Sequence, residues 1–413
     1  MTLEPLTWAA VALIAMAGTY NFSLFLLSRR RVPHAPGSGR SRRYVFLLAC
    51  LNEEKVLAES LARITSLPAD DCVALVIDDA SDDRTAEIAR AADPERVRLH
   101  QRRLPDARRG KGAALNDGVR RLRASGLLGD RDPDDVIVCV VDADGRLDRH
   151  VIEAVDPFFN DPRTGATQLC VRMYNREAGL LARLQDMEFV VYGDVFQTAR
   201  RSIGSVGMGG NGQFMRLSAL DSLGEKPWSD SLTEDLDLGV RLIARGWTNQ
   251  HCTTAAVSQQ AVLDLRRLVR QRSRWFQGHL QSANLVPLIL RDVRGRAATD
   301  LLYHLSSPLL ILLTSLLPLS FLIAVFGTAA ASFQAGRPLI SPMWLLGPYL
   351  LSFTSAWIYG FVYRRRERSL GVLRAALLGH VFVLYGYIWF AAGWWGLWRA
   401  ATGKRTWLKT ART

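Results

Sequence analysis

The chain has 413 residues, is 49% hydrophobic and carries a formal net charge of +13, which is too apolar for a wholly soluble protein and predicts a membrane portion. Its five cysteines (Cys50, Cys72, Cys139, Cys170, Cys252) are odd in number, widely spaced and without a CxxC pair, which argues against a disulfide frame or a zinc site and for buried thiols in a reducing compartment. The basic residues gather in runs beside apolar segments, Arg29 to Arg31 and Arg364 to Arg366 among them; this is the pattern of cytoplasmic membrane flanks rather than of a nucleic-acid surface.

Residues 7 to 28, TWAAVALIAMAGTYNFSLFLLS, carry no charge and as a helix extend about 33 Å, enough to cross a bilayer core. The basic cluster follows this stretch instead of preceding it, so the segment reads as a spanning helix with its N-terminus outside, not as a cleaved signal. A Pro/Gly/Ser/Arg linker covers 32–43. A soluble unit is then expected over 44–262, where short apolar runs alternate with helical stretches, an α/β pattern that predicts a parallel sheet with helices on both faces.

Ligands of such sheets bind beyond the carboxyl ends of the strands. LLACLNEE ends in Asn52 and Glu53, VALVIDDASDDRT in Asp78 and Asp79, and VIVCVVDADG in Asp142 and Asp144. Asp79 sits in an acid-rich turn that also suits the cap of a helix starting near Thr85. Lys111, between glycines in RRGKGAALNDG at a predicted helix start, suits phosphate or a solvated basic loop, and the segment lacks P-loop spacing. Asp142 and Asp144 alternate along a fraying strand, with Gly145 allowing a tight turn. Two hard carboxylates there suit Mg²⁺ or Mn²⁺ completed by a diphosphate and water, although a DxD is also ordinary turn chemistry. The loop GMGGNGQFMR, with Asn211 and Gln213, permits close backbone approach without specifying to what.

In SDSLTEDLDLGVRLIARGW, Ser231 and Glu234 have capping-box spacing, and acids suit the positive end of a helix. LRRLVRQRSRWFQGHL reads as an interfacial amphipathic helix within an interfacial region at 263–300. From 301 to 413 three more apolar stretches predict about three spans. Pro308 and Pro318 in the first leave open a shorter span preceded by an interfacial piece. Four spans place the basic tail GKRTWLKTAR outside, against the positive-inside expectation, which implies a re-entrant last segment or a count off by one.

Taken in order, LNEE, DDASDDRT, DAD, GGNGQF, TED and QRSRW resemble the membrane-bound family-2 glycosyltransferases of GT-A fold, a Rossmann-like mixed-sheet α/β domain embedded between transmembrane helices; the group includes cellulose, hyaluronan, chitin-oligosaccharide and poly-N-acetylglucosamine synthases and some glycolipid synthases. The resemblance implies a UDP-sugar donor whose uridine meets Asp79, with Asn52 and Glu53 beside it. It implies Mg²⁺ or Mn²⁺ on Asp142 and Asp144, Asp144 more directly, and Lys111 and the 209–213 loop with Asn211 and Gln213 near nucleotide and sugar. It makes Asp235 the general base and puts Glu234, Gln271, Arg274 and Trp275 around the leaving diphosphate and the acceptor. The expectation is a multi-pass plasma-membrane enzyme with a cytoplasmic catalytic domain and no nucleic-acid partner. The QxxRW pattern and the layout of one span before the domain and three after it imply a processive β-glycan synthase first; a glycolipid synthase is second, because GGNGQF is similar to the loop in glucosyl-diacylglycerol enzymes and four spans give little material for a polymer channel unless the protein forms a homo-oligomer or has a partner. A non-catalytic nucleotide-sugar sensor is the remaining alternative.

Overall fold

The computed structural model describes residues 4–30, 41–68, 71–336 and 342–403; most of the expected linker and the basic tail 404–413 lie outside these. Eight strands form one sheet: β1 (Arg43–Cys50), β2 (Cys72–Asp78), β3 (Val97–Gln101), β4 (Val136–Val140), β5 (Arg146–Leu147), β6 (Thr164–Met173), β7 (Gln213–Arg216) and β8 (Thr248–Gln259), in the order β3-β2-β1-β4-β7-β6-β8-β5. The parallel expectation holds for β3, β2, β1 and β4, whose near-continuous apolar runs are buried from both sides, as parallel strands require. It fails beyond β4. There β7 runs antiparallel, with Val140 opposite Gln213, because the chain enters β7 from the glycine loop lying past the carboxyl end of β4. The reversal brings Gly210 and Asn211 to the strand end that carries Asp142.

Helices cover both faces as expected. Leu57, Leu61 and Ile64 of the helix Leu57–Thr65 pack with Phe46, Leu48 and Val76 on one face. On the other, Leu115, Val119 and Leu122 of Lys111–Ala124 meet Leu238 and Leu242 of Glu234–Ala244 over Val45, Leu47 and Val138. Each such fully buried side chain contributes about 1.5–3 kcal/mol, so the starts of the two latter helices are held against the same sheet.

Outside the domain, helices Glu4–Leu27, Gly295–Gln334, Pro342–Arg366 and Val372–Ala401 occupy the four stretches read as spans. Gly295–Leu316 and Val372–Ala401 are long and apolar enough to cross a membrane, while the Ala15–Leu27 stretch is shorter. Pro308 and Pro318 fall within one continuous helix. Buried carboxylates tie these helices to the domain. Asp186 accepts from Arg172 Nε and Nη2 (2.9 and 2.8 Å), from the Met173 amide (2.7 Å) and from the Tyr363 hydroxyl (2.9 Å). Asp300 accepts from Arg200 Nε at 3.0 Å and from the Tyr20 hydroxyl at 2.7 Å.

Candidate active site

A cavity of about 420 Å³ opens beyond the carboxyl ends of β1, β2 and β4. Glu53, Asp79, Lys111, Asp142, Asn211, Glu234, Asp235, Gln271, Arg274 and Trp275 all line it, although they lie up to 222 positions apart in the sequence. Asn52, Asp144 and Gln213 do not. Asn52 is exposed with φ 55° and shapes the turn by accepting from the Asp82 amide at 2.8 Å. Gln213 is buried in β7. Asp144 is buried immediately behind the wall, its Oδ2 accepting from the Gln260 amide at 3.0 Å. The neighbouring Gln259 lines the cavity and accepts from Asn211 Nδ2, also at 3.0 Å.

Lys111 Nζ donates to Asp142 Oδ1 and to the Gly210 carbonyl, each at 2.5 Å. Gly210 permits this approach: a Cβ there would stand 3.3 Å from Asp235 Oδ2 and 3.5 Å from Lys111 Nζ. One ammonium therefore faces three carboxylates, Asp142, Glu234 and Asp235. Burial and the Asp235 charge push Glu234 up to about 7, against the opposing effect of Lys111. Burial also raises Asp235, toward the range in which a carboxylate works as a base near neutral pH. For Lys111, burial opposes the charge, but Asp142 and Glu234 outweigh it and hold the ammonium above its ordinary value.

Asp79 forms a buried ion pair with Arg102 and accepts from the Arg108 amide at 3.0 Å. The helix Thr85–Ala91 follows Arg84, which makes no side-chain cap; its first amide, Thr85, donates instead to Asp83 at 3.0 Å, so Asp79 does not cap this helix. The capping box does not form. The helix starts at Glu234 itself, and Thr233 precedes it without a side-chain cap, so Glu234 is its first residue and not its third. What fixes this start is tertiary: the Leu232 amide donates to Gln281 Oε1 at 3.0 Å, and Gly278 lets the helix Leu265–Gln281 touch the 232–233 backbone.

In QRSRW the buried residues are Arg272 and Ser273, and Arg272 carries the charge. Its Nη2 lies 2.6 Å from Glu188 Oε2 and its guanidinium 4.0 Å from the centre of the Trp275 ring. Glu188 also accepts from the Tyr385 hydroxyl (2.6 Å) and from Trp389 Nε1 (2.8 Å), joining the motif to the helix Val372–Ala401. Sequence reading missed Glu188, His279, His304 and Trp389, all of which line the cavity. For Glu188 a signal existed, since it is one of two acids, with Asp186, in the otherwise largely apolar stretch LQDMEFVV; the others are set only by the packing of distant helices. The His279 and His304 rings lie tilted at 59° with centres 4.8 Å apart, and burial pushes His279 down to about 4, so it is neutral.

The donor set fits a hard divalent ion that takes its remaining ligands from a diphosphate. Asp142 and Asp144 offer carboxylate oxygens one residue apart, and the Lys111 ammonium already marks the cation side of Asp142. No group of three or more His, Cys, Asp or Glu able to hold a metal alone occurs among the described residues.

Sheet and cleft define a GT-A type glycosyltransferase domain, in which polar strand ends and a helix start close over one cavity. Residues 42–278 match the family model Glycosyltransferase like family 2, and the chain belongs to that family. It is 29% identical over 292 residues to the beta-monoglucosyldiacylglycerol synthase of Synechocystis sp., covering 68% of this chain and 58% of that protein. To the poly-beta-1,6-N-acetyl-D-glucosamine synthase of Staphylococcus aureus it is 27% identical, covering 56% of this chain and 53% of the relative. The chain thus spans about half the length of the curated relatives it matches. In structure it is similar to a mannosyltransferase from Pyrobaculum calidifontis solved with GDP-Man and Mn²⁺, with TM-score 0.60, 18% identity and coverage of 92% of this chain and 97% of that one, a likeness of fold.

Proposed function

We propose that the protein is an integral membrane, metal-dependent, inverting glycosyltransferase that moves a sugar from a UDP-sugar to the hydroxyl of a lipid at the cytoplasmic face. One observation carries the choice of acceptor. The cavity that holds Lys111, Asp142 and Asp235 continues into an apolar wall of Phe276, Pro308, Ile311 and Trp389, contributed by the helix Leu265–Gln281 and by the two helices most able to cross a membrane. A hydroxyl on an apolar body suits such a two-part site, and the diacylglycerol named for the Synechocystis relative has that chemistry.

In the mechanism, Asp235 accepts the proton of the acceptor hydroxyl as its oxygen attacks the anomeric carbon. The bond from that carbon to the diphosphate breaks, and UDP departs with the electron pair. Single displacement inverts the anomeric centre. Lys111 and Arg274 stabilise the charge gathering on the diphosphate. Asp142 and Asp144 would hold the divalent ion, which supplies Lewis-acid stabilisation of that same charge when bound. Asp235 is held firmly because its Oδ1 accepts from the Leu236 amide at 2.8 Å while Oδ2 faces Gly210 and Lys111. Fixed placement of this kind converts a weak base into an effective one.

The second reading, processive synthesis of a β-linked glycan, is favoured by the QRSRW helix and by Trp275, one face of which already carries Arg272 while the residue lines the cavity. Supplying the purified protein with individual UDP- and GDP-sugars and Mn²⁺ or Mg²⁺ separates the two. A single organic-soluble glycolipid supports the proposal, a ladder resistant to lipid extraction supports the second reading, and the absence of transfer from any UDP-sugar overturns both.

A further inference from the structure

Two arginine runs more than 330 positions apart meet in space. Ser28 and Arg29, just past the helix Glu4–Leu27, and Arg365 and Arg366, at the end of Pro342–Arg366, line one cavity of about 210 Å³ together with Thr198 and Thr253. It is separate from the catalytic cavity and shares no lining residue with it. Its one acid, Asp194, is consumed by Arg366, with both carboxylate oxygens 2.7 Å from guanidinium nitrogens. Among the described residues neither Arg29 nor Arg365 has a carboxylate partner; Arg29 lies over the Phe25 ring, 4.8 Å from its centre. Among the described residues, therefore, no carboxylate balances these two positive charges. Concentrating cations in a concave site raises the free energy of the empty protein and favours an anion there.

We infer that this cavity binds the phosphate headgroup of an anionic membrane lipid. A phosphate ester offers the acceptor oxygens that the guanidinium groups and the Thr253 hydroxyl match, the Ser28 hydroxyl donating to the Phe25 carbonyl at 2.7 Å. Free phosphate shares that chemistry, but the surroundings favour a lipid. Phe25, Val195 and Val362 form one side of the cavity, and Phe22, Leu26 and Phe361, within a turn of it on the same two helices, expose large apolar side chains where acyl chains would lie. The inference rests on the membrane-spanning reading above.

The test uses the full chain in neutral detergent, where no lipid surface potential acts, with phosphatidylglycerol titrated and retention read by native mass spectrometry. Hydrogen bonds to a charged group are each worth roughly tenfold or more in affinity, so Arg29→Gln/Arg365→Gln is expected to weaken retention by about 100-fold. Arg30→Gln/Arg368→Gln, which removes the same charge from exposed positions outside the cavity, should leave it unchanged. Retained UDP binding in both variants shows that they fold. Equal losses in the two pairs, or displacement of the bound lipid by inorganic phosphate, overturn the assignment. A chain that stays monodisperse without detergent removes the membrane reading itself.

Discussion

Gly278→Ala tests whether the helix carrying the base is positioned from outside. A Cβ at this position would lie 2.8 Å from the Thr233 amide nitrogen and 2.9 Å from the Leu232 carbonyl carbon. Ordinary contact begins at 3.4 Å, so the two segments must part by about 0.6 Å, an overpacking that typically costs about 1–3 kcal/mol. Alanine's helix preference returns up to about 1 kcal/mol. The clash wins because the opposing atoms are backbone and have no rotamer to escape into. The displaced residues lead directly into Glu234 and Asp235. Since a misplacement of about 1 Å at a reacting group costs about 10²-fold, a shift of half that size lowers kcat by roughly tenfold. Donor affinity should hold, because Lys111 and Asp142 are untouched. Single-turnover transfer, UDP binding and thermal melting are measured beside Gly386→Ala, a helical glycine with nothing within 4 Å of its Cβ position. A raised melting temperature with kcat within about twofold of wild type would refute the reasoning.

Other outcomes follow from the same geometry. In metal-free protein the raised Glu234 carboxyl keeps its proton after the unfolded chain has lost its own, so between about 4.5 and about 7 the native state binds more protons and stability falls as pH rises. Glu234→Gln should flatten that slope in thermal melts, and an unchanged slope would contradict the assignment. Lys111→Met leaves three carboxylates facing one another and should raise the KM for the donor by roughly tenfold or more, read in initial rates; an unaltered KM counts against a diphosphate role. Chelation should abolish transfer, with Mn²⁺ or Mg²⁺ restoring it, and Asp144→Asn should raise the metal concentration required by roughly 10–100-fold. Glu188→Gln strips the buried Arg272 of its carboxylate and should cost about 3 kcal/mol of stability, measured by denaturation beside Glu188→Gln/Arg272→Met, which should recover part of the loss.

The side of the cavity built from strand ends was legible in the sequence, because a strand end announces itself locally. An apolar run stops and a polar pair follows, as at Asp79 and Asp142. The helix-built side was legible only in part: Glu234, Gln271, Arg274 and Trp275 stand out in sequence and line the cavity, whereas Glu188, His304 and Trp389 join them only after separate helices pack. Asp79 was found, yet its partner Arg102 was not, because that pairing comes from the neighbouring strand end. Strand alternation alone read the sheet as parallel throughout and missed the reversals at β7 and β5, which the family resemblance to a mixed sheet implied; four residues of β7 and two of β5 are too short a pattern to reveal direction. The capping box failed for a related reason: local spacing placed Glu234 at the third helical position, and the contact with Gly278 placed it at the first.

Asp235→Asn is the most direct test of the account. Asparagine preserves the size of the side chain and the oxygen that accepts from the Leu236 amide, so the fold and the donor site should survive the change. Measured with saturating donor and acceptor, transfer should fall by about 10² to 10⁴ while UDP binding is retained. Turnover close to wild type in that variant would show that another group takes the proton, and the mechanism built on this cavity would be contradicted.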